Sequence, residues 1–170
     1  MDALEAILTR RSIRAYTEDP ITDEQVETLL RAAMAAPSAG DAQTWAFVVV
    51  RDRELLDAVP AMHPYAKMTP QAPLAILVCG DVSAEKYAGF WVQDCSAAVE
   101  NLLLAAHAMG LGAVWTGIYP DAGRVEGFRR LFSLPEHIVP LALVPVGYPK
   151  EHKELIDRYN PSKVKRERWS

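Results

Sequence analysis

The sequence predicts a single domain in which helices pack against a sheet. The chain has 170 residues, of which 50% are hydrophobic, and this suits one domain with one core. Runs of β-branched and aromatic residues with the length of strands alternate with segments of helical period. Strands separated by helices indicate a mixed α/β layer architecture. No internal repeat, low-complexity tract or domain linker interrupts this pattern.

Two capping boxes predict the first two helices. Asp2 is followed three residues later by Glu5, and Thr22 is followed in the same way by Gln25. Apolar residues at helical spacing come after each pair. Pro37 ends the second helix, because a proline cannot continue it.

Two strands with a short helix between them come next. Residues 45–50 (WAFVVV) and 74–80 (LAILVCG) are strand-like runs, and residues 52–59 have a short helical pattern. A loop rich in proline connects this helix to the second strand. Its prolines are Pro60, Pro64, Pro70 and Pro73.

The segment 90–109 predicts a long helix that is apolar almost all round near its end. A helix of this kind is buried on every side, and in so small a chain a second subunit is one way to bury it. The last residues, from about 150 to 170, are polar and have no hydrophobic period.

The C-terminal half ends with a strand, a helix and another strand. Residues 112–117 predict a strand, 121–132 a helix and 138–148 the final strand. The final strand contains Pro140 and Pro145. Prolines in a strand indicate either an edge position or a bulge.

Composition excludes several classes of partner. The formal net charge of −4 argues against nucleic acid, which needs spread Lys and Arg contacts to phosphate. The four histidines are scattered, so no metal site is expected. No apolar stretch is long enough to span a membrane. Asp2 and Glu5 do not suit a signal peptide. Cys79 and Cys95 form no C-x-x-C pair and indicate reduced, buried thiols in the cytoplasm.

A cluster of arginines near the N-terminus is an exception in this acidic chain. The stretch TRRSIRAY, 9–16, contains Arg10, Arg11, Ser12 and Arg14. The planar fork of arginine binds phosphate through paired, charge-assisted hydrogen bonds, and a serine hydroxyl adds a small donor. A solvated face with surface ion pairs is the alternative.

Four motifs occur in a fixed order over almost the whole chain. They are RRSIR, APSAGDAQTW, GLGAVWTG and VGYP. This ordered set resembles the nitroreductase family of FMN-dependent oxidoreductases from residue 4 to the C-terminus. The resemblance implies one FMN-binding domain over 1–170, with an α+β fold that is a three-layer α/β/α sandwich. Its central sheet is mixed and mainly antiparallel. The resemblance also implies an intertwined homodimer with FMN at the interface. The arms, about 150–170, are expected to reach over the partner.

The resemblance gives each basic residue of the first motif a role. Arg10 and Ser12 are expected to bind the FMN phosphate, and Arg11 to add charge and contacts to the ribityl chain. Arg14 is expected to face the N1/O2 edge of the isoalloxazine, where a cation stabilises the negative charge of reduction. Arg158, in the tail, aligns with a basic residue that completes the phosphate site. A simple surface charge is the alternative for Arg158.

The second motif resembles the family's loop over the flavin of the partner subunit. The family usually has Asn where this chain has Asp41 and Pro where it has Thr44. A carboxylate only accepts hydrogen bonds where Asn also donates, so Asp41 is expected to alter contacts. An ordinary helix stop and turn is the alternative. The expected FMN contacts are Pro37, Ser38, Ala39, Gly40, Asp41 and Gln43, with Gln43 directed to the pyrimidine edge or within the loop.

The third motif resembles the segment that directs an amide at flavin N5. Thr116 and Gly117 are the expected contacts, and Gly117 suits a close approach because it has no side chain. Trp115 belongs to the same candidate site, although a core role for its ring is the alternative.

The resemblance implies a ping-pong enzyme that passes hydride from NADH or NADPH to a nitroaromatic, a quinone or a similar small molecule. No catalytic side chain is required, because FMN carries the reaction. No G-x-G-x-x-G motif is present, which suits a nicotinamide that stacks on the flavin and leaves. Three alternatives remain open: a flavin-destroying or dehalogenating relative, an FMN sensor or store, and an anion-binding module without flavin.

Overall fold

The computed structural model describes residues 1–169. Ser170, the last residue of the expected arm, lies outside the described residues. Helices and strands alternate along the chain. They are α1 (Ala3–Thr9), α2 (Asp23–Met34), β1 (Trp45–Val50), α3 (Arg53–Met62), β2 (Leu74–Asp81), α4 (Trp91–Ala108), β3 (Gly112–Ala113), β4 (Thr116–Gly117), α5 (Ala122–Leu131) and β5 (Ile138–Gly147).

The helix ends follow the sequence signals. The Asp2 side chain accepts a hydrogen bond from the Glu5 amide, and Thr22 and Gln25 form a complete capping box. Helix α3 runs to Met62, past the expected end, so that Pro60 lies inside it, where the fixed φ of proline is compatible with a helix but its missing N–H removes one helical hydrogen bond.

The strands form one sheet in the order β1-β2-β5-β3, and β4 also pairs with β5. Every pairing between these strands is antiparallel. Among residues 1–169, one parallel bridge joins Ser12 to Ala113. The prediction of a mixed, mainly antiparallel sheet is therefore confirmed.

The final strand, β5, lies in the middle of the sheet and not at its edge. Val78 pairs with Ala142 but Cys79 pairs with Pro140, so Leu141 is an extra residue in β5. The two prolines thus indicate the bulge correctly, and the edge position is wrong. Pro140 is tolerated because the ladder is already interrupted at the bulge.

Segment 112–117 forms two strands of two residues each and not the single strand expected. Ala113 pairs with Val146 and Thr116 pairs with Leu143, in one unbroken register. This register places Val114 opposite Pro145. Because proline has no N–H, the ladder breaks at that point.

Helices cover both faces of the sheet. Successive residues of β2 point to opposite faces, so Leu74, Ile76 and Val78 join a core with α2 and α4. Ala75, Leu77 and Cys79 join a second core with α3 and α5. The expected three-layer α/β/α sandwich is confirmed.

Apolar side chains remain exposed on α1, α4 and the arm. Leu4 of α1 is 70% exposed, and Leu155 of the arm is 68% exposed. The α4 residues Leu104 and Ala105 are only partly buried within one chain. No helix of residues 1–169 has both the length and the apolar character that crossing a membrane requires.

Candidate functional site

A cavity of about 290 Å³ lies beside β4, and we call it the Gly117 cavity. It brings together four of the residues expected at the flavin ring with four that were not expected. Its lining consists of Arg14, His63, Tyr65, Val114, Trp115, Thr116, Gly117 and Arg124. Trp115 is 36% exposed, so the alternative that its ring belongs to the core is wrong.

The Gly117 carbonyl accepts two hydrogen bonds that fix its peptide group. His63 donates from Nε2 over 2.8 Å, and Arg124 donates from Nη1 over 3.1 Å. Arg124 also stacks over the ring of Tyr65, with its guanidinium carbon 5.5 Å from the ring centre. Both donors therefore hold β4 from the side opposite β5.

The Gly117 amide faces the same side as its carbonyl. The next residue, Ile118, donates its N–H to Leu141 of β5. Because successive residues of a strand face opposite sides, the N–H of Gly117 is directed away from β5, towards the cavity. A methyl group added to Gly117 meets only Trp115 Nε1, at 3.8 Å. The space in front of this glycine is open.

The arginine segment runs alongside β3 towards this cavity. The Ser12–Ala113 bridge and the bond from the Ile13 amide to the Ala113 carbonyl fix its register. The Arg14 amide donates to Glu151 over 2.6 Å, which leaves its exposed guanidinium at the Gly117 cavity. The segment thus extends from the end of α1 to β4.

A second groove, of about 720 Å³, lies between α1 and the arm, and we call it the arm groove. It contains Arg10, Arg11 and Arg158, all expected at the phosphate, but not Ser12. The Arg10 Nε atom is buried without a hydrogen bond, 3.4 Å from Glu100. It is a donor that an anionic ligand could use.

Arg11 binds the backbone of the arm, so its donors are not free to bind an anion. Its Nε donates to the carbonyl of Glu154 over 3.0 Å, and its Nη2 donates to that of Ile156 over 3.4 Å. Its Nη1 donates to the Arg10 carbonyl over 2.8 Å. The guanidinium charge lies near the arm groove, but its donors are used by the backbone.

Residues 37–43, which we call the Ser38 loop, precede β1. Ser38 Oγ accepts a hydrogen bond from the Gln43 amide, and the Gln43 side chain donates to Asp41 over 2.9 Å. Asp41 thus accepts within the loop, as a carboxylate must. In the part of the chain described, none of residues 37–43 lines the Gly117 cavity or the arm groove.

Comparison with known proteins identifies the family. The model of the Nitroreductase family matches residues 7–63 and 59–148 of this chain. The chain belongs to the nitroreductase family.

Relatives of this nitroreductase-family chain match it over nearly its full length. A Methanothermobacter thermautotrophicus protein provisionally named NADH dehydrogenase/NAD(P)H nitroreductase is 54% identical over 169 residues, with 99% of this chain and 88% of the relative covered. The crystal structure of a protein with the same provisional name from Parabacteroides distasonis is 45% identical, with a TM-score of 0.94 and 98% of each chain covered. A provisionally named nitroreductase from Desulfovibrio desulfuricans, solved in complex with FMN, is 32% identical. Its TM-score is 0.86, and 100% of this chain and 99% of that chain are covered.

The described residues of this nitroreductase-family chain fit FMN. The buried Nε of Arg10, which has no hydrogen bond although Glu100 lies 3.4 Å away, suits a phosphate, and the exposed Arg14 guanidinium suits the carbonyl edge of a flavin. The open face of Gly117 allows a flat ring to approach the backbone. Hydrogen-bond donors thus occur at both ends of the arginine segment.

Sequence reasoning missed His63, Tyr65 and Arg124. His63 and Arg124 lie 54 and 7 residues from Gly117, and only the packing of α3 and α5 on one face of the sheet brings them together. No motif spacing signals this contact. His63 is 1% exposed and its ring lies edge-on to Phe128 of the second core, with the ring centroids 6.3 Å apart, which indicates a structural role.

We expect this protein to become less stable as the pH is lowered, partly because of His63. Burial, aided by the nearby Arg124, lowers the pKa of His63 below its usual 6.5. The unfolded chain therefore binds the proton more readily, and the free energy of unfolding decreases as pH falls through 6.5 towards the folded-state pKa. Urea unfolding of wild type and His63→Gln between pH 7.5 and 5.5 measures this, and the variant should show a flatter dependence.

His107 adds to the same slope, since burial and the neighbouring Arg10 and Arg11 lower its pKa. His152→Gln, at an exposed position, is the matched control and should keep the wild-type slope. A slope that His63→Gln leaves unchanged would contradict the assignment.

Proposed function

We propose that this chain is an FMN-dependent oxidoreductase that transfers hydride from NADH or NADPH to an oxidised small molecule, such as a nitroaromatic or a quinone. The Gly117 cavity is the observation that carries the proposal. An exposed arginine, an exposed tryptophan and a strand amide free of the β5 ladder meet there. The Desulfovibrio relative binds FMN, and the Methanothermobacter relative bears the name of an NAD(P)H enzyme.

When bound, FMN would supply the hydride-transfer chemistry. The protein's residues orient it. Arg10 and Ser12 would bind the phosphate, Arg14 would place a cation at the N1/O2 edge, and the Gly117 amide would face N5. His63 and Arg124 keep that amide in place through the Gly117 carbonyl.

We propose a ping-pong order, in which the reductant leaves before the acceptor reaches the same flavin. Steady-state rates measured with varied NADPH or NADH at several fixed quinone concentrations should give parallel double-reciprocal lines. A protein that binds FMN but is not reduced by either nucleotide would indicate a sensor, a store or a flavin-modifying enzyme. Colourless protein that takes up no FMN would indicate an anion-binding module.

We propose that the active form is a homodimer with FMN at the interface. None of residues 37–43 lines the Gly117 cavity within one chain, and a second chain is the proposed way for both to contact one FMN. Exposed apolar residues on α1 and the arm, including Leu8 and Tyr159, offer the surface. Arg11 holds the arm in place through its carbonyls.

We expect sedimentation at micromolar concentration to show a dimer with two FMN, since an obligate interface buries more than about 2,000 Å². Leu8→Glu places a charge in the proposed interface and should yield monomers with weakened FMN binding. The control is Glu126→Lys, at an exposed position of α5. Leu131→Glu is not suitable, because Leu131 packs on the core. A folded, flavin-loaded wild-type monomer would overturn the dimer.

The proposed location is the cytoplasm. Cys79 and Cys95 are free and buried, and burial raises the pKa of each thiol to about 12. Such thiols are unreactive and suit a reducing compartment.

A further inference from the structure

Asp94 is a buried carboxylate on α4 that binds Ala39 of the Ser38 loop and Thr44, the residue that follows the loop. Asp94 is only 4% exposed. Oδ1 accepts the Ala39 amide over 2.9 Å, and Oδ2 accepts the Thr44 hydroxyl over 3.2 Å. One side chain thus connects the start of the loop to the residue that follows it.

The loop has a backbone that needs such a restraint. Gly40, Asp41 and Gln43 have φ angles of 60°, 53° and 51°. This left-handed region is readily adopted by glycine but is unfavourable for the other two residues. Strained residues persist only where the surroundings fix them. The Ser38–Gln43 bond acts within the loop, whereas Asp94 connects the loop to a core helix.

Asp94 has no cationic partner among residues 1–169, because none of the salt bridges there includes it. Burying a carboxylate without a cation is costly unless hydrogen bonds stabilise it. The hydrogen bonds from Ala39 and Thr44 are therefore the interactions that stabilise the buried Asp94 carboxylate. A hydrophobic residue would pack in α4 at lower cost, so the benefit of Asp94 lies in the position of the loop.

We propose that Asp94 is a positioning residue that sets the conformation of the Ser38 loop for contact with FMN. The proposal rests on the proposed function, because it takes the loop to be part of the FMN site. Thr44 completes the pair, since its hydroxyl reaches the second carboxylate oxygen. Loss of the carboxylate releases the loop. FMN binding must then order the loop, and this weakens the FMN affinity.

Three variants separate the two bonds. Asp94→Ala removes both, Thr44→Val removes only the second, and Asp94→Asn keeps one acceptor for Ala39 while its amide can donate to the Thr44 hydroxyl. Leu102→Ala is the matched control, because Leu102 is fully buried in the same helix but belongs to the apolar core. It lowers stability without touching the loop.

Two measurements are made on each protein: the FMN affinity of the apoprotein by flavin fluorescence, and amide hydrogen exchange of residues 39–44 without FMN. Asp94→Ala should weaken FMN roughly tenfold or more, as expected when buried partners are left unsatisfied, and should speed exchange in the loop. Asp94→Asn should recover most of both losses, and Thr44→Val should show a smaller loss. Leu102→Ala should lower Tm while leaving FMN affinity within about twofold and loop exchange unchanged.

Asp94→Ala with wild-type FMN affinity and wild-type loop exchange would overturn the proposal. So would a Leu102→Ala variant of equal Tm loss that weakens FMN equally. If wild type binds no FMN, the proposed function fails, whereas loop exchange in the apoprotein still decides whether Asp94 positions the loop.

Discussion

Arg14→Gln is expected to keep FMN bound but to lower its reduction potential and slow its reduction by NAD(P)H. The Arg14 guanidinium lines the Gly117 cavity. Within residues 1–169 it forms no salt bridge that would neutralise it. Loss of a fixed group beside developing negative charge costs about 3 kcal/mol in the transition state, which is roughly a hundredfold in rate.

Anaerobic stopped-flow reduction and a redox titration measure the two effects of Arg14→Gln. Arg14→Lys should rescue part of the rate, because it keeps the charge but loses the planar fork. Arg31→Gln is the matched control at an exposed arginine that pairs with Glu27, and it should behave as wild type. If Arg14→Gln changes neither the potential nor the rate, Arg14 is a surface charge.

Arg10→Ala is expected to weaken FMN binding by about 2–5 kcal/mol, as when one partner of a buried charged pair is removed. The Arg10 side chain is 20% exposed, and its Nε has no hydrogen-bond partner. A phosphate that accepts a hydrogen bond from this Nε would be paired with a partly desolvated cation. Isothermal titration of apoprotein with FMN measures the loss.

Riboflavin is the ligand control for Arg10→Ala, because it has no phosphate and should lose much less affinity. Arg130→Ala, at an exposed arginine of α5, is the protein control. Equal losses for FMN and riboflavin would place the phosphate site elsewhere, and Arg158 in the arm groove would be the next candidate.

The elements of the fold that depend on neighbouring residues could be predicted from the sequence. The capping box of Thr22 and Gln25 is local, and the structure contains it as expected. The division of segment 112–117 could not be predicted, because it depends on which residue lies opposite Pro145. That register is known only once the strands are paired.

The same distinction holds for the candidate site. Arg14 and Gly117 were expected together through the family resemblance, and one cavity contains both. Arg11 was expected at FMN, but its donors bind carbonyls of the arm, a contact across more than a hundred residues that no motif encodes. His63 and Asp94 were missed for the same reason, since their partners are distant in sequence.

The most direct test of the account is anaerobic mixing of the FMN-loaded protein with NADPH or NADH, followed by a quinone. The nucleotide should bleach the visible absorbance of the flavin, and deuterium at the transferred position should slow this step. The quinone should then restore the absorbance. Protein that binds FMN at the expected residues but stays yellow with both nucleotides would contradict the claim that this chain transfers hydride.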